Sequence, residues 1–167
     1  DYDYYVSTCP FNDVYDWARG PVGACYANGI VSGRGDGIYD PGATVTAVEA
    51  ASMLMRALGY FRYQNDYEGN FVLATVKKGS QIRIFDGVGS SASEPMTRNQ
   101  VAQMVLNALQ TGMAEPDGNT LNLATPEGNI YTGKVNYVNV TSNKDFARAI
   151  SALRASSMGS TNDSPIV

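Results

Sequence analysis

"SGRGDGIYDPGATVTAVEAASMLMRALGY", Ser32 to Tyr60, joins a stiff turn to an apolar helix. Gly33, Gly35 and Gly37 permit positive φ, Asp36 and Asp40 favour local side-chain-to-backbone bonds, and Pro41 presets a turn. Thr46 stands three residues before Glu49, the spacing of a capping box in which each side chain satisfies a free backbone N–H of the new helix. The helix is expected from Ala47 to Leu58, with Ala50, Met53, Leu54, Ala57 and Leu58 on its core face and Gly59 ending it.

Upstream, "FNDVYDW" from Phe11 reads as a loop with aromatic anchors. Pro21 suits the first position of a short helix ending near Asn28, with Gly29 closing it and Ile30 and Val31 following as a buried pair. Downstream the phrase returns in blurred form. Phe71 opens a helix that is expected to break at Gly79, and Ile84-Phe85 repeats the apolar pair. Thr97 and Gln100 repeat the capping box, and Val101, Met104, Val105, Ala108 and Leu109 repeat the stripe. Thr46 and Thr97, like Met53 and Met104, are 51 positions apart, whereas Ile30 and Ile84 are 54 apart. A shared period of this size signals tandem units that bury each other's faces.

After Gly112 the sequence alternates apolar and polar residues around Pro126–Asn129, the pattern of a β-hairpin. From about Lys144 to Ser157, Phe146, Ala149, Ile150 and Leu153 mark a further amphipathic helix before a polar tail. The expected fold is mostly α with a β-hairpin, its tandem helical repeats packed around a shared helical core. The divisions fall at 1–60 and 61–113 for the two repeats, 114–143 for the hairpin, and 144–167 for the last helix and tail.

Composition narrows the chemistry. A net charge of -4 in 167 residues argues against a duplex nucleic-acid binder. No apolar run approaches the roughly 20 residues of a membrane span. The start, DYDYYVSTCP, lacks both the basic and the apolar region of a signal peptide, so the chain reads as a processed or excised piece. It contains no histidine, which removes Ser-His and Cys-His catalysis and the common zinc sites. No cofactor or metal site is expected. Cys9 and Cys25 are the two cysteines, and their even count and position around one helix fit a single disulfide in an oxidising compartment.

These residues resemble the S-layer homology family. Phe11, Asp13, Val14, Trp17 and Ala18 match its Phe-x-Asp-Val opening and Trp-Ala helix start. Gly29, Ile30 and Gly33 match its turn; Asp36, Gly37, Tyr39 and Pro41 match its Asp-Gly-x-Phe-x-Pro loop, with Tyr for Phe; Thr46 and Glu49 match its helix cap. The second copy keeps Thr97-Arg98 but lacks the Trp-Ala start and the loop, so it is degenerate. The hairpin and last helix lie outside the resemblance and can stand in for a third repeat.

The resemblance implies a non-catalytic module that anchors exported proteins to the wall of a Gram-positive-type bacterium, in place of membrane insertion. Its implied ligand is an acidic, often pyruvylated, secondary cell-wall polysaccharide held in grooves between repeats. In the family the arginine of the Thr-Arg-Ala-Glu motif reaches that ligand; here only Arg98 carries over, and Ala47 replaces it in the first copy. A guanidinium makes charge-assisted, bidentate bonds to a carboxylate. Beside Arg98, the candidates are Thr97, which doubles as a cap, the loop residues Ser32, Arg34 and Asp36, and Trp17. Trp17 either stacks on a sugar or, as the plainer reading has it, fills a core between repeats. "RGD" at Arg34–Asp36 is too short to imply adhesion, and the loop lacks the ligand spacing of an EF-hand. Paired carboxylates for glycoside hydrolysis find no helper motif. The competing function is structural: repeats that have lost glycan affinity and mediate protein packing or homo-oligomerisation. An appendage to a wall hydrolase is a third reading.

Overall fold

Helix α2 runs from Asp16 to Ala27 and carries Pro21 inside it, not at its first position. A proline in a helix interior removes one hydrogen bond and crowds the preceding turn, so contacts from outside must extend the helix backwards. Two are visible. Arg19 donates to the carbonyls of Phe11 and Cys9 at 2.9 and 3.1 Å, tying the first turn to the chain before it. A short helix α1, Tyr2–Thr8, which the sequence did not announce, packs along α2 at Gly20 and Gly23. A Cβ at Gly20 would strike the Tyr2 ring, and one at Gly23 the Tyr5 carbonyl oxygen. The computed structural model describes residues 2–67, 69–117, 122–125, 128–131 and 135–139. The expected C-terminal helix from Lys144 and the tail lie outside them.

Helix α3 spans Ala47–Ala57, α4 Phe71–Gln81 and α5 Arg98–Thr111. The main core joins them through Ala47, Ala51 and Met55 of α3, Ala74 of α4, Ile84 and Val88 of the turn after it, and Met104 and Ala108 of α5. The stripes are rotated from expectation. On α3 the buried face centres on Ala51 and Met55, while Met53 is half-buried and Ala57 exposed. On α5 Met104, Asn107 and Ala108 are buried, and Val101 and Leu109 face outward. Ile30 and Val31 are half-buried, not core. Helix α4 does not break at Gly79: that glycine is buried, and its missing side chain leaves room for Phe85 and Ile84.

The two helical hairpins share their backbone punctuation. Ile30 N–H donates to Cys25 O at 2.9 Å, and Ile84 N–H to Gly79 O at 2.9 Å. Both are the six-to-one bond that closes a helix, with Gly29 at φ 69° and Arg83 at φ 63° in the left-handed position between. Both second helices open on a complete capping box, at Thr46/Glu49 and Thr97/Gln100. Arg56 and Asn107, 51 positions apart, each reach back to the carbonyl of the paired isoleucine, Ile30 or Ile84.

The hairpin is present. β2 (Asn122–Thr125) pairs antiparallel with β3 (Gly128–Tyr131), and β1 (Ala114–Pro116) with β4 (Tyr137–Asn139). Ala114↔Asn139 and Asn122↔Tyr131 fit one unshifted register. Its base is anchored: Ala114 N–H donates to Leu58 O at 2.7 Å, and the Tyr137 hydroxyl donates to Asp66 at 2.5 Å while accepting from Arg62 N–H. No described helix is long and apolar enough to cross a membrane.

Alanine is the better helix former by about 1 kcal/mol, yet at Gly23 the clash with the Tyr5 carbonyl should win. Gly23→Ala is expected to cost about 1–3 kcal/mol, read as a lower urea midpoint and faster hydrogen exchange in α1. An unchanged midpoint and unchanged exchange would refute the close α1–α2 packing.

Candidate functional site: a groove beside the first turn

The Gly-Asp-rich turn is held from below by Asp13. Its carboxylate accepts from Tyr39 N–H at 2.9 Å and Asp40 N–H at 2.6 Å. These backbone bonds, Tyr39's first, hold its carboxyl below the usual carboxylate range. Asn12 N–H bonds Gly37 O at 2.9 Å, and Arg34 N–H bonds Ile38 O at 2.8 Å. Phe11 is the buried anchor, with the rings of Tyr26 and Tyr39 within 5.3 and 5.2 Å. Gly33 lies against the Phe11 ring at φ 69°, so both conformation and space require glycine there. Asp36 and Asp40 take positive φ, which aspartate tolerates better than most residues.

Between this turn, α3 and the start of α4 lies an open groove of about 450 Å³. Ile30, Ser32 and Arg34 line one wall, Glu49, Ser52, Met53 and Arg56 the other, and Phe71 one end. Arg34 is paired with Asp40 at 3.2 Å, both half-exposed. Glu49 accepts from the Thr46 backbone and hydroxyl, and these bonds lower its pKa, with Arg34 adding to the effect. Among the described residues the Arg56 guanidinium bonds only neutral oxygens: the Tyr67 hydroxyl at 2.8 and 3.0 Å and Ile30 O at 3.4 Å. Its charge is therefore oriented without being cancelled. Ser52 is buried, and among the described residues its hydroxyl has no hydrogen-bond partner.

Of the expected residues, Ser32 and Arg34 line this groove; Asp36, Trp17, Thr97 and Arg98 do not. Asp36 shapes the turn. Thr97 is committed to the α5 cap, and Arg98 is exposed in the first turn of α5. Trp17 is 77% exposed near the start of α2, so it does not fill a core. The expected Cys9–Cys25 disulfide is not formed, and both thiols are free. Gly23 is the α2 residue that faces Cys9; Cys25, two positions on, is turned about 200° around the helix.

Sequence reasoning missed Arg56, Ser52, Met53 and Phe71. The one available signal was that Arg56 and Asn107 share the 51-residue offset of the caps. Among the described residues no cluster of acidic or cysteine side chains could hold a metal.

Residues 10–51 match the sequence profile of the S-layer homology domain. This stretch is similar to an S-layer homology domain. Its relatives agree: the middle cell wall protein of Brevibacillus brevis is 30% identical over 100 residues, covering 60% of this chain and 9% of that protein. The surface layer protein of Brevibacillus choshinensis is 30% identical over 111 residues, covering 63% and 10%. An endoglucanase of a Bacillus species is 27% identical over 115 residues, covering 60% and 12%. The chain thus spans about a tenth of the length of these curated relatives. No solved structure matches it.

Asp13 offers a pH test of the latch. Because its native pKa is lowered, the stabilisation is present above the ordinary carboxylate range and fades as pH falls through the native value. Asp13→Asn should therefore be less stable than the parent at neutral pH, with the gap closing as the parent's carboxylate protonates. Urea titrations across pH check this; a gap constant to the lowest pH would contradict it.

Proposed function

We propose that this chain is a non-catalytic cell-wall-anchoring module of an exported bacterial protein. It holds a carboxylate-bearing, pyruvylated wall polysaccharide in the groove beside the first turn. Residues 61–113 act as a second, degenerate repeat, 114–143 as a hairpin that braces it, and 144–167 as a helix and tail. The observation that carries the reading is the oriented Arg56 charge facing a groove that also offers Arg34 and Ser32. Guanidinium suits a carboxylate, serine hydroxyls suit sugar hydroxyls, and Met53 and Phe71 supply apolar surface for a ring. Arg98 contributes from outside the groove, to a more distant residue of the same polymer. Weak single sites suffice, because a repeating polymer engages many copies at once. The nearby carboxylates do not form a catalytic pair: Glu49 is spent on a cap and Asp40 on Arg34.

One observation favours the structural alternative. Ala47, which replaces the motif arginine, is fully buried, with its N–H directed at Glu94 O. No guanidinium fits at that position, so one arm of the family's ligand contact is closed. In this reading the chain mediates packing between proteins at the cell surface.

Co-sedimentation with purified Gram-positive-type walls separates the two. The chain should pellet with intact walls and stay in solution when acid has stripped the secondary polymer. Arg34→Ala and Arg98→Ala should each weaken binding about tenfold, the worth of a charge-assisted bond. Equal retention on stripped walls would point to another ligand, and a stable oligomer indifferent to walls would select the structural reading.

A further inference from the structure

The second hairpin has a groove of its own, of about 540 Å³, between α5 and the turn after α4. Its walls correspond to those of the first groove by the offsets of the repeat. Gln103 and Asn107 stand 51 positions after Ser52 and Arg56, and Asp86 and Gly87 stand 54 after Ser32 and Gly33. The two glycines share a conformation, at φ 69° and 72°. The fold therefore builds the same recess twice and lines it with different side chains.

The chemistry of the second recess is that of paired charge and amides. Of its described lining residues, Arg83 and Asp86 are charged, and they pair at 2.7 Å. Asn107, in the place of Arg56, is spent on the frame. Its amide nitrogen donates to Ile84 O and Asp86 O at 2.9 and 2.7 Å, and its oxygen accepts from the Gln103 amide nitrogen at 2.9 Å. This network fixes both amides: two carbonyls call for the nitrogen of Asn107, and its oxygen calls for the nitrogen of Gln103. What Gln103 has to offer a guest is its carbonyl oxygen. The Thr111 hydroxyl, which donates to Ile82 O or Asn107 O, has lone pairs to offer. Arg83 spends its Nε on Asp86 and keeps further N–H donors on the same guanidinium. Donors and acceptors mixed without net charge match a hydroxyl, which does both. A carboxylate brought here would meet the Asp86 carboxylate and the Gln103 carbonyl oxygen.

We propose that the second groove binds an uncharged sugar residue, where the first holds an acidic one. This site takes its sugar from the same polymer, and in that it rests on the wall-anchoring reading. One chain then grips two chemically different residues, and the second contact raises avidity without a second charge.

The full chain, isotopically labelled, is titrated with oligosaccharides released from the wall polymer, both pyruvylated and with the pyruvyl group removed. Both forms should give saturable shifts at the amides of Asp86, Gly87, Gln103 and Asn107, with similar affinity. Gln103→Ala should weaken that response about fivefold, the worth of one neutral hydrogen bond, and leave the shifts at Ile30–Arg34 as they are. Shifts at Ile30–Arg34 with none in the second groove would overturn this site and leave the anchoring reading standing. Shifts in the second groove that vanish with the pyruvyl group, or a Gln103→Ala chain that responds like the parent, would also overturn it. Shifts in the second groove alone, with both forms, would uphold this site and sink the acidic one.

Discussion

The junction at Thr46 is the constraint on which the rest depends. A buried helix cannot leave its first N–H groups unpaired, and α3 is buried from its first residue. Glu49 takes the Thr46 N–H, and the turn before α5 takes those of Ala47 and Val48 through Glu94 O and Ala92 O. Val45 returns the contact by accepting from Met96 N–H at 2.9 Å, and Thr46 bridges to Pro95. One short stretch of backbone therefore fixes where α3 starts, where the second hairpin meets the first, and how Glu49 and Ser52 are presented to the groove. The small residues Ala47, Ala50 and Ala51 follow from this, because a larger side chain would push the two segments apart.

Much of this was legible. The capping boxes, the turn residues, the 51-residue offset and the hairpin are all local patterns with local causes, and each lies where the sequence put it. The strongest case is the shared helix ending, where Gly29 and Arg83 adopt the same conformation. The repeat is thus carried by backbone geometry even where side chains have diverged. What was not legible depends on partners distant in sequence. The start of α2 is set by Arg19 and by α1, so Pro21 ends up inside the helix. The buried faces are rotated because α3 is covered by α4, α5 and the segment before α5, whereas α5 meets the core with one face only.

The site shows the same division. Ser32 and Arg34 were visible because they lie in the turn itself. Arg56 was not, since its role comes from the Tyr67 hydroxyl and the Ile30 carbonyl, 11 and 26 residues away. Conserving the reach of position 56 to the isoleucine carbonyl while replacing Arg by Asn at position 107 separates a scaffold task from a charge. In the second hairpin Asn107 bonds the carbonyls of Ile84 and Asp86 and brings no cation. The first hairpin retains the scaffold and the charge together.

Chemical-shift mapping addresses that claim most directly. The full chain, isotopically labelled, is titrated with a soluble pyruvylated oligosaccharide released from the wall polymer. The account expects saturable shifts at the amides of Ile30–Arg34 and Ser52–Arg56, absent when the pyruvyl carboxylate is removed. Shifts confined to other surfaces, or none at ligand excess, would contradict it.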